Sequence, residues 1–463
     1  MSGNGSGLRA SVEKMRADGV SEPAIATFSE LYERLVAGDT GLVPESEIEP
    51  VTSLPDVDEL DDAAPDRDLL DQAIVLRLNG GLGTSMGLAG PKSLLEVRDG
   101  LTFLDIVARQ VLALRERTGA RLPLVLMNSF STREPSLERL ARYPELAADV
   151  PMDFLQHKEP KLLADGLEPV TWEPDPSLEW APPGHGDLYP ALVSSGMLAA
   201  LLEHGYRYAF VANVDNLGAV LDPRILGWMA REEIPFLMEV ADRTPADRKG
   251  GHLARRRSDG GLVLREIAQT PDADLDAFQD VERHRYFNTN NLWLDLRALD
   301  AELRRRDGVL PLPMIVNRKT VDPRDPDSPA VVQLETAMGA AVAAVPGAAA
   351  LRVPRRRFAP VKTTNDLLAL RSDAYTVSDA FEVMLAPERS GPPLVDLDDR
   401  FYKRVADFEE RFAAGAPSLI ACEALTVEGD VVFGAGVTVR GRVRVAQEGP
   451  EPRRIPDGSV LEG

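Results

Sequence analysis

The chain has one cysteine, Cys422, in 463 residues. No disulfide can close within it, and no Cys-x-x-Cys metal clip is available. No apolar run reaches transmembrane length. Met1 to Gly7 are rich in glycine and serine and lack the apolar stretch of a secretory signal, so a cytoplasmic location is expected. Positive charge is in deficit. The formal net charge is −22, which argues against nucleic acid or an anionic membrane as the main partner. A phosphate ligand must then be held by local cations, backbone amides or a metal. Lysine is scarcer still: eight of the 52 basic residues, the others being arginine. A lysine inside a motif is therefore informative, because a compact ammonium suits a crowded phosphate site differently from a planar guanidinium. Hydrophobic content of 44% and charged content of 27% place the chain among soluble globular proteins. Its length allows a large core and roughly two to four domains.

The most informative stretch is Leu78-Asn79-Gly80-Gly81-Leu82-Gly83-Thr84-Ser85-Met86-Gly87-Leu88-Ala89-Gly90-Pro91-Lys92-Ser93. It follows the apolar run Ile74-Val75-Leu76, which reads as a buried strand. Glycines let backbone approach a phosphate, and the amides of such a turn form an anion nest. A Walker A loop is excluded, because Pro91 separates Gly90 from Lys92. A G-x-G-x-x-G dinucleotide loop is excluded, because the third glycine would fall on Met86. A flexible turn beside a solvated lysine is the plain alternative. Five glycines between Gly80 and Gly90, after a strand and before a proline-fixed lysine, argue against it.

Strand patterns at 74–79, 123–128, 208–214, 235–240, 262–268 and 287–295 alternate with helical ones, the signature of a mostly parallel sheet with helices on both faces. Thr102 caps a helix with Asp105 at its third position and Phe103, Val107, Val111 and Leu114 on its buried face. Residues 1–7 read as disordered. Residues 8–40 read as two helices, the second capped by Ser21 with Ile25, Phe28, Leu31, Tyr32 and Leu35 at helical spacing. Residues 41–66, rich in proline and acids, read as an extended connector. Gln333-Leu334-Glu335-Thr336-Ala337 reads as a packing helix. In the tail, Leu425, Val431, Val437 and Val443 recur every six residues, and Val427, Phe433, Val439 and Val445 repeat two residues later. Ile455 and Leu461 resume the phase. That period predicts a parallel β-helix; four antiparallel strands are the alternative.

Four further segments carry chemistry. Pro182-Pro183-Gly184-His185-Gly186-Asp187 presents one imidazole on a stiff, tight loop, though a loop histidine is often merely exposed or satisfied by backbone. Asn213-Val214-Asp215-Asn216 ends a strand, where open α/β sheets bind ligands. A carboxylate there can hold Mg²⁺ together with waters and phosphates; an Asx turn is the alternative. Phe287-Asn288-Thr289-Asn290-Asn291-Leu292-Trp293 places three asparagines in an apolar strand, against strand propensity. Amides suit sugar hydroxyls, offering donor and acceptor together. Glu266 could accept from further hydroxyls, or be a solvated strand carboxylate. Pro360-Val361-Lys362-Thr363-Thr364-Asn365-Asp366 holds a second motif lysine, and Thr363 or Thr364 can cap a helix.

Gly80 to Lys92 fits the pattern G-G-x-G-T-x-M-x-x-x-x-P-K without a gap. On this and the four segments above, the chain resembles the eukaryotic-type UTP–glucose-1-phosphate uridylyltransferases (UDP-glucose pyrophosphorylases) over about residues 70–445. The resemblance implies an α/β fold with a Rossmann-like, GT-A-type nucleotidyltransferase core and a C-terminal left-handed β-helix. The segment patterns along the chain divide it into an N-terminal helical segment and connector (1–66), a catalytic domain (67–385) and a C-terminal domain (386–463). The resemblance also implies Mg²⁺-dependent, reversible transfer of uridylyl from UTP to α-D-glucose 1-phosphate. Leu78, Asn79, Gly80 and Gly81 would hold UTP; Gln156 and the backbone at Gly184 would read uracil. His185 would contact the sugar phosphate. Asn213 and Asp215 belong to the metal and sugar-nucleotide segment, with Asp215 on the metal. Glu266, Asn288 and Asn290 would take the hexose. Lys92, Lys362 and Asp215 form the catalytic set. The tail offers a route to a homo-oligomer. Two other readings stand beside this one: transfer to galactose 1-phosphate or N-acetylglucosamine 1-phosphate, and a non-catalytic sugar-nucleotide binding protein.

Overall fold

The computed structural model describes residues 4–61 and 66–463. Strand Ala73–Asn79 is central because it is apolar on both faces. Alternate side chains leave it in opposite directions, as in any strand. Val75 joins one core cluster with Leu124, Leu126, Phe210 and Ala212. Ile74 and Leu76 join the other with Val125, Met127, Ala209 and Val211. Helix Phe103–Thr118 covers the first face. It is held by the expected capping box between Thr102 and Asp105 and stopped by Gly119, whose φ of 69° suits glycine. Helices Leu188–Ser194, Met197–Glu203 and Leu296–Arg305 cover the second face.

The sheet has ten strands and is mixed rather than mostly parallel. Strands 208–213, 73–79, 124–128 and 153–155 run parallel, as do 236–242 and 349–352. Strand Tyr286–Asp295 runs antiparallel to both 208–213 and 236–242. A strand buried on both faces has the same apolar pattern in either direction, so periodicity could not reveal this. Strand 73–79 has 124–128 on one side and 208–213 on the other. Its C-terminal end is therefore a topological switch point, where ligands bind in open sheets. The strand at 262–268 is confined to Leu262–Arg265, because a 3-10 turn begins at Ile267.

Other expectations change. Gln333–Thr336 is not helical. It lies in strand Ala330–Thr336, paired antiparallel with Met314–Thr320 and Leu162–Leu163, where β-branched Val331, Val332 and Thr336 suit a pleated surface. The first helix spans Asn4–Ala17, so the glycine-serine start is helical from Asn4; residues 1–3 lie outside the described residues. This helix and Glu22–Val36 pack Met15, Ile25, Phe28, Leu31 and Tyr32 on Leu162, Val332 and Leu334. The connector is extended as expected, but it also adds edge strand Ile48–Pro50 to the main sheet and buries Ile48, Val51 and Val57. Its residues 62–65 lie outside the described residues.

In the tail every strand pair is parallel, which removes the antiparallel alternative. Leu394–Leu397, Ser418–Glu428, Thr438–Ala446 and Val460–Glu462 stack in that order, and Val431–Phe433 pairs with Arg453–Ile455. Leu425 lies against Val443 and Val427 against Val445, three six-residue steps on. Leu425, Val431, Val437 and Val443 are all buried, in the same apolar cluster as the main sheet's first face.

Candidate active site

The glycine loop begins where strand 73–79 ends. Asn79 is buried, and its amide donates to Asn128 Oδ1 at 2.7 Å and Ser136 Oγ at 2.8 Å. That side chain pins the loop to the next strand and helix, which leaves its backbone for a ligand. A Cβ at Gly80 would collide with Gln156 Oε1, so glycine there lets the Gln156 amide lie against the loop. Gln156 N donates to Asn128 O at 2.8 Å, fixing it beside the same strand end. Lys92 N donates to Gly81 O at 3.1 Å and closes the loop on itself. Leu78 and Asn213 are register partners on adjacent parallel strands, both half-buried at the switch point.

Lys92 Nζ stands 2.6 Å from Asp215 Oδ2, with the two side chains 16% and 20% exposed. The structure thus joins a lysine and a carboxylate that are 123 residues apart in sequence. The Asp215 turn is tied in turn to the second lysine segment. Val361 N donates to Asp215 O at 3.3 Å, and Asn216 Oδ1 accepts from Ala359 N at 2.9 Å. Lys362 follows directly. Thr363 caps helix Thr364–Arg371 in a capping box with Asp366, so its role is structural. Lys362 Nζ lies 5.8 Å from the centre of the Phe358 ring. Its charge also acts on Glu266. Burial pushes the Glu266 carboxyl up, and the Lys362 ammonium partly offsets that.

Glu266 packs against the Gly251 backbone, where a Cβ would collide with its carboxylate. Gly251 O accepts from Asn288 N at 3.0 Å. The asparagine segment is a bulge: its register with strand 236–242 shifts opposite Glu239 and Val240, and Asn290 has φ 58°. Asn288 Nδ2 donates to Asn290 Oδ1 at 2.8 Å, and Asn290 N donates to Asn288 Oδ1 at 2.9 Å. The local strand-breaking chemistry seen in the sequence is therefore real and shapes the backbone.

His185 completes the ring. Met338 N donates to its Nδ1 at 2.9 Å, which places the ring proton on Nε2. Burial pulls the imidazole down to about 4, so near neutrality it offers an N–H donor and no charge. Gly184, at φ 78°, and Gly186 press on Thr336, at the end of strand 330–336; a Cβ on either would collide with it. Asp187, buried, accepts from His157 N at 2.6 Å and lies 2.8 Å from His157 Nδ1. This clamps the Gln156 segment to the His185 loop.

Two residues of this neighbourhood carry no motif. Glu239 and Arg357 form a buried ion pair at 2.6 Å beneath the Asp215 turn and the asparagine bulge. Their sequence separation of 118 residues hid the pairing, and Arg357 sits in the run Arg355-Arg356-Arg357, which no motif marks.

The assembled groups suit phosphoryl-type transfer rather than covalent catalysis: two lysines, one carboxylate, loop amides and neutral N–H donors. Cys422 is buried in the tail, and burial pushes its thiol up, the opposite of an activated nucleophile. Among the described residues no group of three or more His, Cys, Asp or Glu could cage a metal.

Comparison with known proteins agrees with this chemistry. The family model for UTP–glucose-1-phosphate uridylyltransferase matches residues 25–440. The UTP–glucose-1-phosphate uridylyltransferase of Solanum tuberosum is 42% identical over 451 residues, 96% of this chain and 92% of that protein. A Trypanosoma brucei UDP-glucose phosphorylase structure superposes with a TM-score of 0.92 at 48% identity, covering 99% of this chain and 98% of its own. A Leishmania major UDP-glucose pyrophosphorylase variant in complex with UDP-glucose superposes with a TM-score of 0.93 at 48% identity, covering 98% of each. The chain belongs to the UTP–glucose-1-phosphate uridylyltransferase family.

Proposed function

We infer that the chain transfers a uridylyl group from UTP to glucose 1-phosphate, giving UDP-glucose and pyrophosphate. The observation that carries this is the Lys92–Asp215 pair, 2.6 Å apart beside a glycine loop at the switch point of the sheet. In the reaction a phosphate oxygen of the sugar substrate attacks the α-phosphorus of UTP, and the bond to pyrophosphate breaks. No protein bond is formed. The chain's work is alignment and charge stabilisation.

The amides of Asn79 to Gly81 would hold the triphosphate, with Gln156 and the Gly184 backbone on the uracil. Lys92 would meet the charge that builds on the leaving pyrophosphate, and Lys362 that of the sugar phosphate. His185 would donate through Nε2. Asn288, Asn290 and Glu266 would take the hexose hydroxyls. Asp215, a carboxylate at the strand end beside the glycine loop, would hold a Mg²⁺ ion. The ion would screen phosphate charge when bound.

The three-part division at 66/67 and 385/386 remains our proposal, with a GT-A-type core and a short left-handed β-helix. The parallel stacking at a six-residue repeat supports the β-helix. The exposed Val460 on the last strand supports a role for the tail in self-association. No described helix is long and apolar enough to cross a membrane; the cytoplasmic location remains our proposal. The test is a panel of sugar 1-phosphates with UTP and Mg²⁺, scored by pyrophosphate release. Glucose 1-phosphate should lead. A lead for galactose 1-phosphate or N-acetylglucosamine 1-phosphate would change the acceptor, and UDP-glucose binding without turnover would make the chain a sugar-nucleotide binder.

A further inference from the structure

We propose that Glu239, acting through Arg357, is the positioning residue that sets Asp215 and Lys362 against the sugar-binding bulge. This rests on the uridylyl-transfer reading and names a part of that site. Glu239 is 0% exposed, on strand Phe236–Asp242. Its carboxylate accepts four hydrogen bonds. Oε1 takes Arg357 Nη2 at 2.6 Å and Trp293 Nε1 at 2.9 Å; Oε2 takes Arg357 Nε at 2.8 Å and Asn291 Nδ2 at 3.0 Å. The paired bonds to Arg357 fix the guanidinium in one plane.

What Arg357 then does is done by its backbone. Arg357 O accepts from Asn216 Nδ2 and Asn291 Nδ2, each at 3.2 Å. Asn216 Nδ2 also donates to Asn291 Oδ1 at 3.1 Å. Asn216 follows Asp215, and the segment after Arg357 pairs with that turn up to Val361, one residue before Lys362. On the other side, Glu239 O accepts from Thr289 Oγ1 at 2.7 Å, inside the bulge that presents Asn288 and Asn290. One buried carboxylate thus joins the metal-side turn, the second lysine segment and the hexose segment. Glu239 contacts no reacting group itself.

The charge balance makes the arrangement rigid. Arg77 is also buried here, with Nε and Nη1 unpartnered and Nη2 donating to Ala219 O, so a second guanidinium feels the charge of Glu239 without a bond to it. A buried charge that loses its partner is costly, so Arg357 cannot leave Glu239 freely.

The test uses the full-length chain in two variants. Arg357→Lys keeps the charge and loses the fork. Asn291→Leu keeps the ion pair and removes the amide that joins the Glu239 carboxylate directly to Asn216, while the Asn216–Arg357 O and Thr289–Glu239 O bonds remain. A misplacement on the scale of 1 Å costs about 10²-fold in rate, so kcat should fall by about that factor in a folded variant. KM for glucose 1-phosphate should rise more than the UTP Kd measured without Mg²⁺, because the Gly80–Gln156 contact lies outside the network. The inference is overturned if kcat per folded molecule is unchanged while the melting temperature drops. It is equally overturned if UTP binding weakens as much as sugar-phosphate binding, which would be general loosening. An inactive wild-type chain would instead bring down the uridylyl-transfer reading, and this inference with it.

Discussion

Lys92 and Asp215 share a hydrogen-bonded ion pair at 2.6 Å, although one is expected on the leaving pyrophosphate and the other on a metal. The pair holds the ammonium at the mouth of the glycine loop before substrate arrives. On the proposed roles, phosphate would offer Lys92 and Mg²⁺ would offer Asp215 a counter-charge, so that the pair would open without leaving either group uncompensated.

Lys92→Ala and Lys362→Ala should each lower kcat by about 10²–10³-fold, the usual loss for one preorganised charge donor. Lys92 is only partly buried, so its removal should leave the fold intact. Turnover and melting temperature measured on the same samples decide this. A folded Lys92→Ala chain with near-normal turnover would remove Lys92 from the catalytic set.

Asp215→Asn keeps the shape of the turn, and its backbone bond from Val361 N survives. The charge is lost, both for Lys92 and for Mg²⁺. Activity should drop, and half-maximal activity should need more Mg²⁺. A Mg²⁺ titration that overlays the wild type would make Asp215 an Asx turn and nothing more.

These residues were legible because each motif is contiguous: glycine loop, Pro-Lys, strand-end Asp and clustered Asn are local patterns. Their joining was not legible. The contact of Gly80 with Gln156, the clamp of His157 on Asp187 and the Glu239–Arg357 pair depend on tertiary approach of distant segments. Strand direction was hidden for 286–295 because burial on both faces erases it. Gln333–Thr336 was misread because a short mixed segment fits either period until its partners, Asn317 and Met314 opposite, are known.

A different histidine pair predicts acid sensitivity. His252 and His284 are both fully buried, with rings stacked at 3.8 Å. Burial holds both imidazoles down. His252 also faces Arg243 and Arg265, and His284 faces Arg265, Arg283 and Glu45. Because the folded chain resists these protons, the unfolded chain binds more of them below the ordinary histidine value of 6.5. Stability is therefore full above that pH and is lost as pH falls below it, at up to about 1.4 kcal/mol per pH unit for each histidine. His252→Phe should flatten the fall in melting temperature between neutral and mildly acidic pH. An unaltered slope would place the acid sensitivity elsewhere.

Gly80→Ala tests the nucleotide side alone. A Cβ would displace the Gln156 amide from the loop. KM for UTP should rise roughly tenfold, equivalent to about 1.4 kcal/mol, while KM for glucose 1-phosphate changes little. A rise in both would mean that the loop has collapsed; no rise in either would separate Gln156 from nucleotide recognition.

The tail tests whether the repeat is a packed unit. Val437 is fully buried, and its carbonyl accepts from Ser418 N at 2.8 Å across the stack. Val437→Asp would place a carboxylate in the apolar cluster that holds Leu425, Val431 and Phe433. The cost should be about 2–4 kcal/mol, as for other buried unpaired polar groups. Its reach extends beyond the tail, because Tyr402 donates to Val431 O and lies in the same cluster as the main sheet. None of the phosphate-site residues belongs to the tail, so turnover per folded molecule should persist. Calorimetry, light scattering and turnover on one preparation separate the outcomes. Unchanged stability and mass would mean that the row is not a load on the fold. Loss of turnover in a folded chain would mean that the stack reaches the site through helices Asp399–Tyr402 and Val405–Arg411, and the division at residue 385 would then have to be redrawn.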